Sequence, residues 1–198
     1  NGVGLWAHPG FYDRQGFGRR RIPMPHGDLA ELVAYQVSAA QGMARRAGGR
    51  LNHGQLHGAL SNMASEDEAM ARACYESALE VDPDIIIMVL AATQQQTAVE
   101  TLGCRWAGEI FADRAYNDDA TLVDRSLPGA VIHDADRAAK RMVEMVKASA
   151  IIAESGKVIP SRVDTICLHG DNETALQIAR AVRAGLEAEG VKLAPVGA

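Results

Sequence analysis

IIIMVLAA, residues 85–92, is an uninterrupted aliphatic run with a helical pattern on either side of it. Its length predicts a strand, and its lack of alternation predicts burial on both faces, as in a parallel sheet covered by helices. Upstream, Ser65 and Glu68 have capping-box spacing and open a helix that ends near Asp82-Pro83. Downstream, Thr93 and Gln96 open another that stops at Gly103.

The same alternation extends outward. Leu29, Leu32, Val33, Val37, Ala40, Met43 and Ala47 recur at helical spacing behind an Asp28/Glu31 cap, and Gly48-Gly49 closes that helix. Residues 104–111 and 163–168 read as strands, followed by helices over roughly 135–148 and 173–189. The opening NGVGLWAHPGFYDRQGFGRRR, 1–21, reads as a strand running into a polar, glycine-broken loop. Strand and helix thus repeat about five times, which predicts an α/β protein with a mainly parallel sheet and helices outside it. His8, the His53/His57 pair, Glu109 with Asp113, and His169 with Asp171 fall at the carboxyl ends of four different strands. A barrel places all such ends on one rim, whereas an open sheet gathers them at a switch point, so a β/α barrel is expected. Five units fall short of closure. The expectation is therefore a single barrel domain over 1–198 whose first strand or strands are not in this chain.

Composition excludes several function classes. A formal charge of -5, with Arg19-Arg20-Arg21 the only dense basic cluster, does not favour nucleic acid. No apolar run approaches the ~20 residues needed to span a bilayer. Cys74, Cys104 and Cys167 lack paired spacing, which argues against a disulfide framework or zinc ribbon and for a reducing cytoplasm.

Four motifs carry chemistry. HPGFYDRQGFGRR, from His8, sets one imidazole, one carboxylate and several arginines among glycines; it suits an anion-holding loop or a turn-rich loop with surface ion pairs. NHGQLHGALSN, 52–62, has histidines four apart. His53 and His57 could share a metal, but HExxH would be more specific, and acid–base work by an imidazole suits the motif better, with Asn62 to orient it. EIFADRAYNDD, 109–119, would put Glu109 and Asp113 on one face if the strand continued, where two carboxylates can divide into acid and base; the alternative is an Asp113–Arg114 ion pair pinning a loop. In LHGDNE, 168–173, His169 and Asp171 precede a helix, and Asp171 is either a site residue or its cap. His26 and His133 read as structural, the latter before an Asp134 cap.

In this order and at these separations, AHPGFYDRQGFGRR, GGRLNHGQLHGALSNMA, EIFADRAYNDDATLVDRSLPGAVI and CLHGD resemble the LamB/YcsF family over nearly the whole chain. The resemblance implies an irregular seven-stranded β/α barrel of the deacetylase-like kind. It also implies ATP-dependent opening of the lactam 5-oxoproline to L-glutamate, alongside separate B and C subunits. It further implies an amino-terminal segment with a DLNxDxGE-like strand and a CGFHAGD-like loop, neither of which is in this sequence. Where the family has HxKPHGALYN, this chain has His53, Gln55, Leu56, His57 and Ser61, so Gln55 replaces a lysine and its charge.

Together these readings assign His57 and His169 to proton transfer and Asp113 and Glu109 to orienting or activating water. Arg19 or Arg114 would hold a substrate carboxylate, and His8, His53, Asn62 and Asp171 would line the cavity. ATP is expected with the partner subunits, and self-association is allowed. Two alternatives remain: a metal-dependent deacetylase-like amide hydrolase with His53 and His57 as ligands and an acidic ligand from the amino-terminal segment that the resemblance implies, and a non-catalytic subunit binding a carboxylated ligand.

Overall fold

The computed structural model describes residues 3–170 and 173–197. Among them are seven strands and six helices, divided between two compact units. One unit runs up to Ala107 and takes in Gly197, and the other runs from Gly108 to Val196.

In the first unit β1 (Leu5–Ala7), β2 (Leu51–Gln55) and β3 (Ile86–Leu90) pair in that order, all parallel. The aliphatic run is indeed buried at every position of β3. Between the strands lie α1 (His26–Arg46), α2 (Gly58–Glu66) and α3 (Glu68–Val81), with α4 (Gln94–Leu102) after β3. The core joins Leu29, Val33 and Val37 of α1 to Leu60 of α2, Tyr75 of α3 and Val89 of β3, each at most 2% exposed. The buried stripe of α1 ends on Ala44, and Ala47 lies past the helix's last residue, Arg46. Met43 is 61% exposed.

Helix starts are where the sequence reading shifts. Helix α1 begins at His26 behind Pro25, so Asp28 lies in its first turn, where it favours the helix dipole, and is not its cap. Ser65 is not a cap either. It sits inside α2, its hydroxyl donating to the Asn62 carbonyl, and Asp67 caps α3 by accepting from Met70 N at 3.0 Å. Replacing Asp67 by Ala is expected to cost about 1 kcal/mol, read as a shift of the urea midpoint at constant slope. Thr93 caps α4 as expected, and Gly103 ends it at φ 63°.

In the second unit β4 (Trp106–Phe111), which begins two residues before the division, pairs in parallel with β7 (Thr165–Cys167). Between them are α5 (Ala135–Ala148) and an antiparallel hairpin of β5 (Ala150–Ile152) and β6 (Val158–Pro160); α6 (Ala175–Ala188) follows β7. Asp134 caps α5 through Arg137 N, as its sequence position implied. Helices α5 and α6 pack together, burying Ala138, Met142 and Met145 on one and Ile178, Val182 and Leu186 on the other. The α/β class read from the sequence, parallel strands separated by helices, is present in each unit. No helix among the described residues is long and apolar enough to cross a membrane.

Candidate functional site

In both units imidazoles and carboxylates lie just past the carboxyl ends of parallel strands, where the backbone leaves the sheet, whereas His53 and Glu109, expected at strand ends, sit within β2 and β4. In the second unit Asp113 follows β4 by two residues and His169 follows β7 by two. Because Phe111 pairs with Cys167 in the β4–β7 register, equal overhangs bring the two side chains together. His169 Nδ1 lies 3.0 and 2.9 Å from the two Asp113 carboxylate oxygens. The Asp113 side chain is 3% exposed and that of His169 26%. Phe111 stacks on the imidazole, centroids 5.6 Å apart and planes 25° apart, which fixes the ring's plane. A carboxylate only accepts, so Nδ1 donates its hydrogen and the neutral ring keeps its lone pair on Nε2.

The strand does not continue to Asp113, which lies in a turn, so Glu109 and Asp113 are not alternate residues of one strand face. Glu109 is buried on β4 opposite Thr165. The Asp113 carboxylate is bonded to His169, while the Arg114 guanidinium donates to the carbonyls of Val123 (2.6 Å) and Ala130 (3.4 Å) and ties down the 114–131 loop through its backbone. Sequence reasoning picked out Tyr116 with Glu109, Asp113 and Arg114 but gave it no role, and it missed Arg141. Tyr116 is fully buried, its hydroxyl oxygen accepting from Phe111 N at 2.7 Å, and burial pushes its pKa upward. Arg141 donates to the Arg114 carbonyl at 3.3 Å, and burial lowers its pKa. The available signal was its place one residue before Met142 on the apolar stripe of α5. Asp171 lies outside the described residues.

In the first unit His8 follows β1, Gln55 ends β2 and His57 precedes α2. His8 Nδ1 lies 3.0 Å from the Gln55 carbonyl, His8 Nε2 3.0 Å from His57 Nδ1, and His57 Nε2 2.7 Å from the Phe17 carbonyl. Close backbone approach makes this possible. Gly58, at φ 56°, would put a Cβ 2.5 Å from the Gly18 carbonyl oxygen, and that oxygen accepts from Ala59 N at 2.9 Å. His53 is apart from this chain of bonds. Its ring stacks on Trp6 at 5.7 Å, and burial lowers its pKa. Asn62, one turn into α2, has no described side-chain bond to either histidine.

The arginine cluster divides its work. Arg20 pairs with the buried Asp13 carboxylate, Arg21 with Glu66, and the Arg19 guanidinium lies 5.2 Å from the Phe17 ring centroid. The Arg20 side-chain bonds hold the Asp13 pKa at about 2, below its ordinary 3.8. A lowered folded-state pKa means stability present above the unfolded value and lost as the folded group protonates. Acid titration from about pH 4 to about 2 is therefore expected to loosen the 13–20 loop, and Asp13→Asn to abolish that dependence, followed by tryptophan fluorescence of Trp6.

A metal held by His53 and His57 does not fit these positions. Both His57 nitrogens already have partners, and no group of three or more His, Cys, Asp or Glu gathers among the described residues.

The fold and these strand-end clusters define an α/β protein with acid–base side chains beyond its parallel strands. The chain belongs to the LamB/YcsF family, whose model matches residues 1–198. It is 66% identical over 193 residues to the A-type subunit of 5-oxoprolinase from Ruegeria pomeroyi, covering 98% of this chain and 76% of that one. A Rhodopseudomonas palustris protein of the same description is 47% identical over 196 residues, covering 98% and 77%. Among solved structures, the lactam utilization protein of Thermus thermophilus matches with a TM-score of 0.86 at 36% identity, over 97% of this chain and 76% of that one.

Proposed function

We propose that this chain hydrolyses a cyclic amide, 5-oxoproline, as one component of an ATP-dependent assembly with B and C subunits. The observation that carries the reading is the buried Asp113 carboxylate holding His169 by Nδ1, which leaves Nε2 to take a proton. The descriptions of the relatives, an A-type 5-oxoprolinase subunit and a lactam utilization protein, support the substrate class and the presence of other subunits.

A lactam carbonyl resists water, and phosphoryl transfer from ATP to its oxygen would make the carbon electrophilic. His169 Nε2 then removes a proton from the attacking water as the carbon–oxygen bond forms. The same proton passes to the ring nitrogen as the carbon–nitrogen bond breaks. The acyl phosphate that remains gives glutamate and phosphate with a second water. Asp113 stabilises the transient imidazolium and keeps the tautomer. Glu109, buried on β4, is the second carboxylate assigned to orienting water.

The test is carbon NMR of labelled 5-oxoproline with the chain and its B and C partners. Ring opening to glutamate that requires ATP is expected. Opening without ATP would remove the ATP part, and no opening in the assembled complex would remove the substrate.

A further inference from the structure

Two contacts hold His169, and they do different work. Asp113 accepts from Nδ1 through both carboxylate oxygens, at 3.0 and 2.9 Å, which selects the tautomer. Acceptance at an sp² oxygen tolerates a broad range of directions, so this bond alone leaves the ring free to turn about its Nδ1–H axis. The face-on contact with Phe111 removes that freedom. Where the Nε2 lone pair points therefore depends on where the Phe111 ring stands.

Phe111 is the last residue of β4, and its backbone is not held there by β7. Ala112 N donates to the Cys167 carbonyl at 3.1 Å, and successive N–H groups along a strand point to opposite neighbours, so Phe111 N points away from β7. Its acceptor is the Tyr116 hydroxyl at 2.7 Å, five residues on, after the chain has turned back. Tyr116 is itself anchored: its carbonyl accepts from Glu154 N at 3.0 Å, and it forms an antiparallel bridge with Leu122. Tyr116 and Phe111 are 1% and 6% exposed, so bulk water does not replace their bond when it is lost.

We propose that Tyr116 is a positioning residue for His169: its hydroxyl fixes the Phe111 backbone, the Phe111 ring fixes the imidazole plane, and that plane aims Nε2 at the water it deprotonates. The inference rests on the reading of His169 as proton acceptor in lactam opening and adds two residues that act through it. Among the described residues the bond to Phe111 N is the only one the Tyr116 side chain makes, so Tyr116→Phe removes that bond and keeps the ring. Phe111→Leu does the converse, keeping the backbone bond and removing the stacked ring.

In the complex with B and C subunits, each variant is expected to lower kcat for 5-oxoproline opening by about 10–10²-fold with KM unchanged. The double variant should be no slower than the slower single one, because both losses act through one ring. Asp134→Ala, which removes the α5 cap, is the comparison for mere loss of stability and should leave kcat unchanged. NMR of the histidine-labelled full chain reads the ring without turnover. The His169 ring-proton signals, displaced by the stacked Phe111, should move toward those of an unstacked ring in Tyr116→Phe, while the Nδ1 hydrogen bonded to Asp113 persists. Undiminished kcat in both variants would overturn the proposal, and so would a slowed Tyr116→Phe whose His169 signals have not moved. No ring opening by the unaltered complex would instead remove the lactam reading, and the NMR displacement would still decide whether Tyr116 positions His169.

Discussion

Asp113→Asn is expected to lower kcat for ring opening by about 10²–10⁴-fold while leaving KM nearly unchanged. The amide keeps the carboxylate's shape but removes the charge that stabilises an imidazolium on His169. It can also donate to Nδ1 and so reverse the tautomer that leaves Nε2 basic. Steady-state kinetics of the assembled complex separates this from a binding defect. A rise in KM with kcat preserved would move Asp113 from proton handling to substrate positioning.

The largest effect on stability is expected at Gln95, which is 1% exposed and serves four elements. Its carbonyl oxygen accepts from Tyr75 Oη at 2.8 Å and Leu90 N at 3.0 Å, and its amide donates to the Ser61 carbonyl at 2.7 Å. Helices α2, α3 and α4 are thereby tied to the end of β3. Gln95→Leu fills similar space but removes the acceptor of the buried Leu90 N–H and the donor to Ser61. A cost of about 2–4 kcal/mol is expected, measured as a lower urea midpoint with unchanged slope. Adding Tyr75→Phe should cost less in the Gln95→Leu background than alone, because the two groups share a bond.

Elements with a strong burial pattern were legible in the sequence for a physical reason: β3 is buried on both faces and reads as an unbroken aliphatic run, and α1 and α5 bury one face, which writes a helical period into their residues. Helix α2 and the strands β5 and β6 were not. Helix α2 passed unnoticed because GALSNMASE opens on a left-handed glycine and carries small residues that pack closely. The three-residue strands β5 and β6 are too short to show alternation. At the site, the sequence named Asp113 and His169 but could not pair them, because their meeting depends on the β4–β7 register across 56 positions of chain. His8 and His57 were likewise named, while their direct contact was not, since it depends on the close approach at Gly18 and Gly58. The arginines show the opposite limit. The loop around Arg20 was open to either an anion-holding or an ion-pairing reading, and Arg20 takes the second with Asp13, seven residues away, while Arg21 pairs with Glu66, 45 residues on, where charge pattern alone does not match them.

The most direct test of the central claim is a single-turnover experiment on the complex carrying His169→Gln, beside the unaltered complex, with labelled 5-oxoproline and ATP. The account predicts glutamate from the unaltered complex and a rate at least about 10²-fold lower from the variant, with the complex still assembled. Glutamate formed at an undiminished rate by the His169→Gln complex would contradict it.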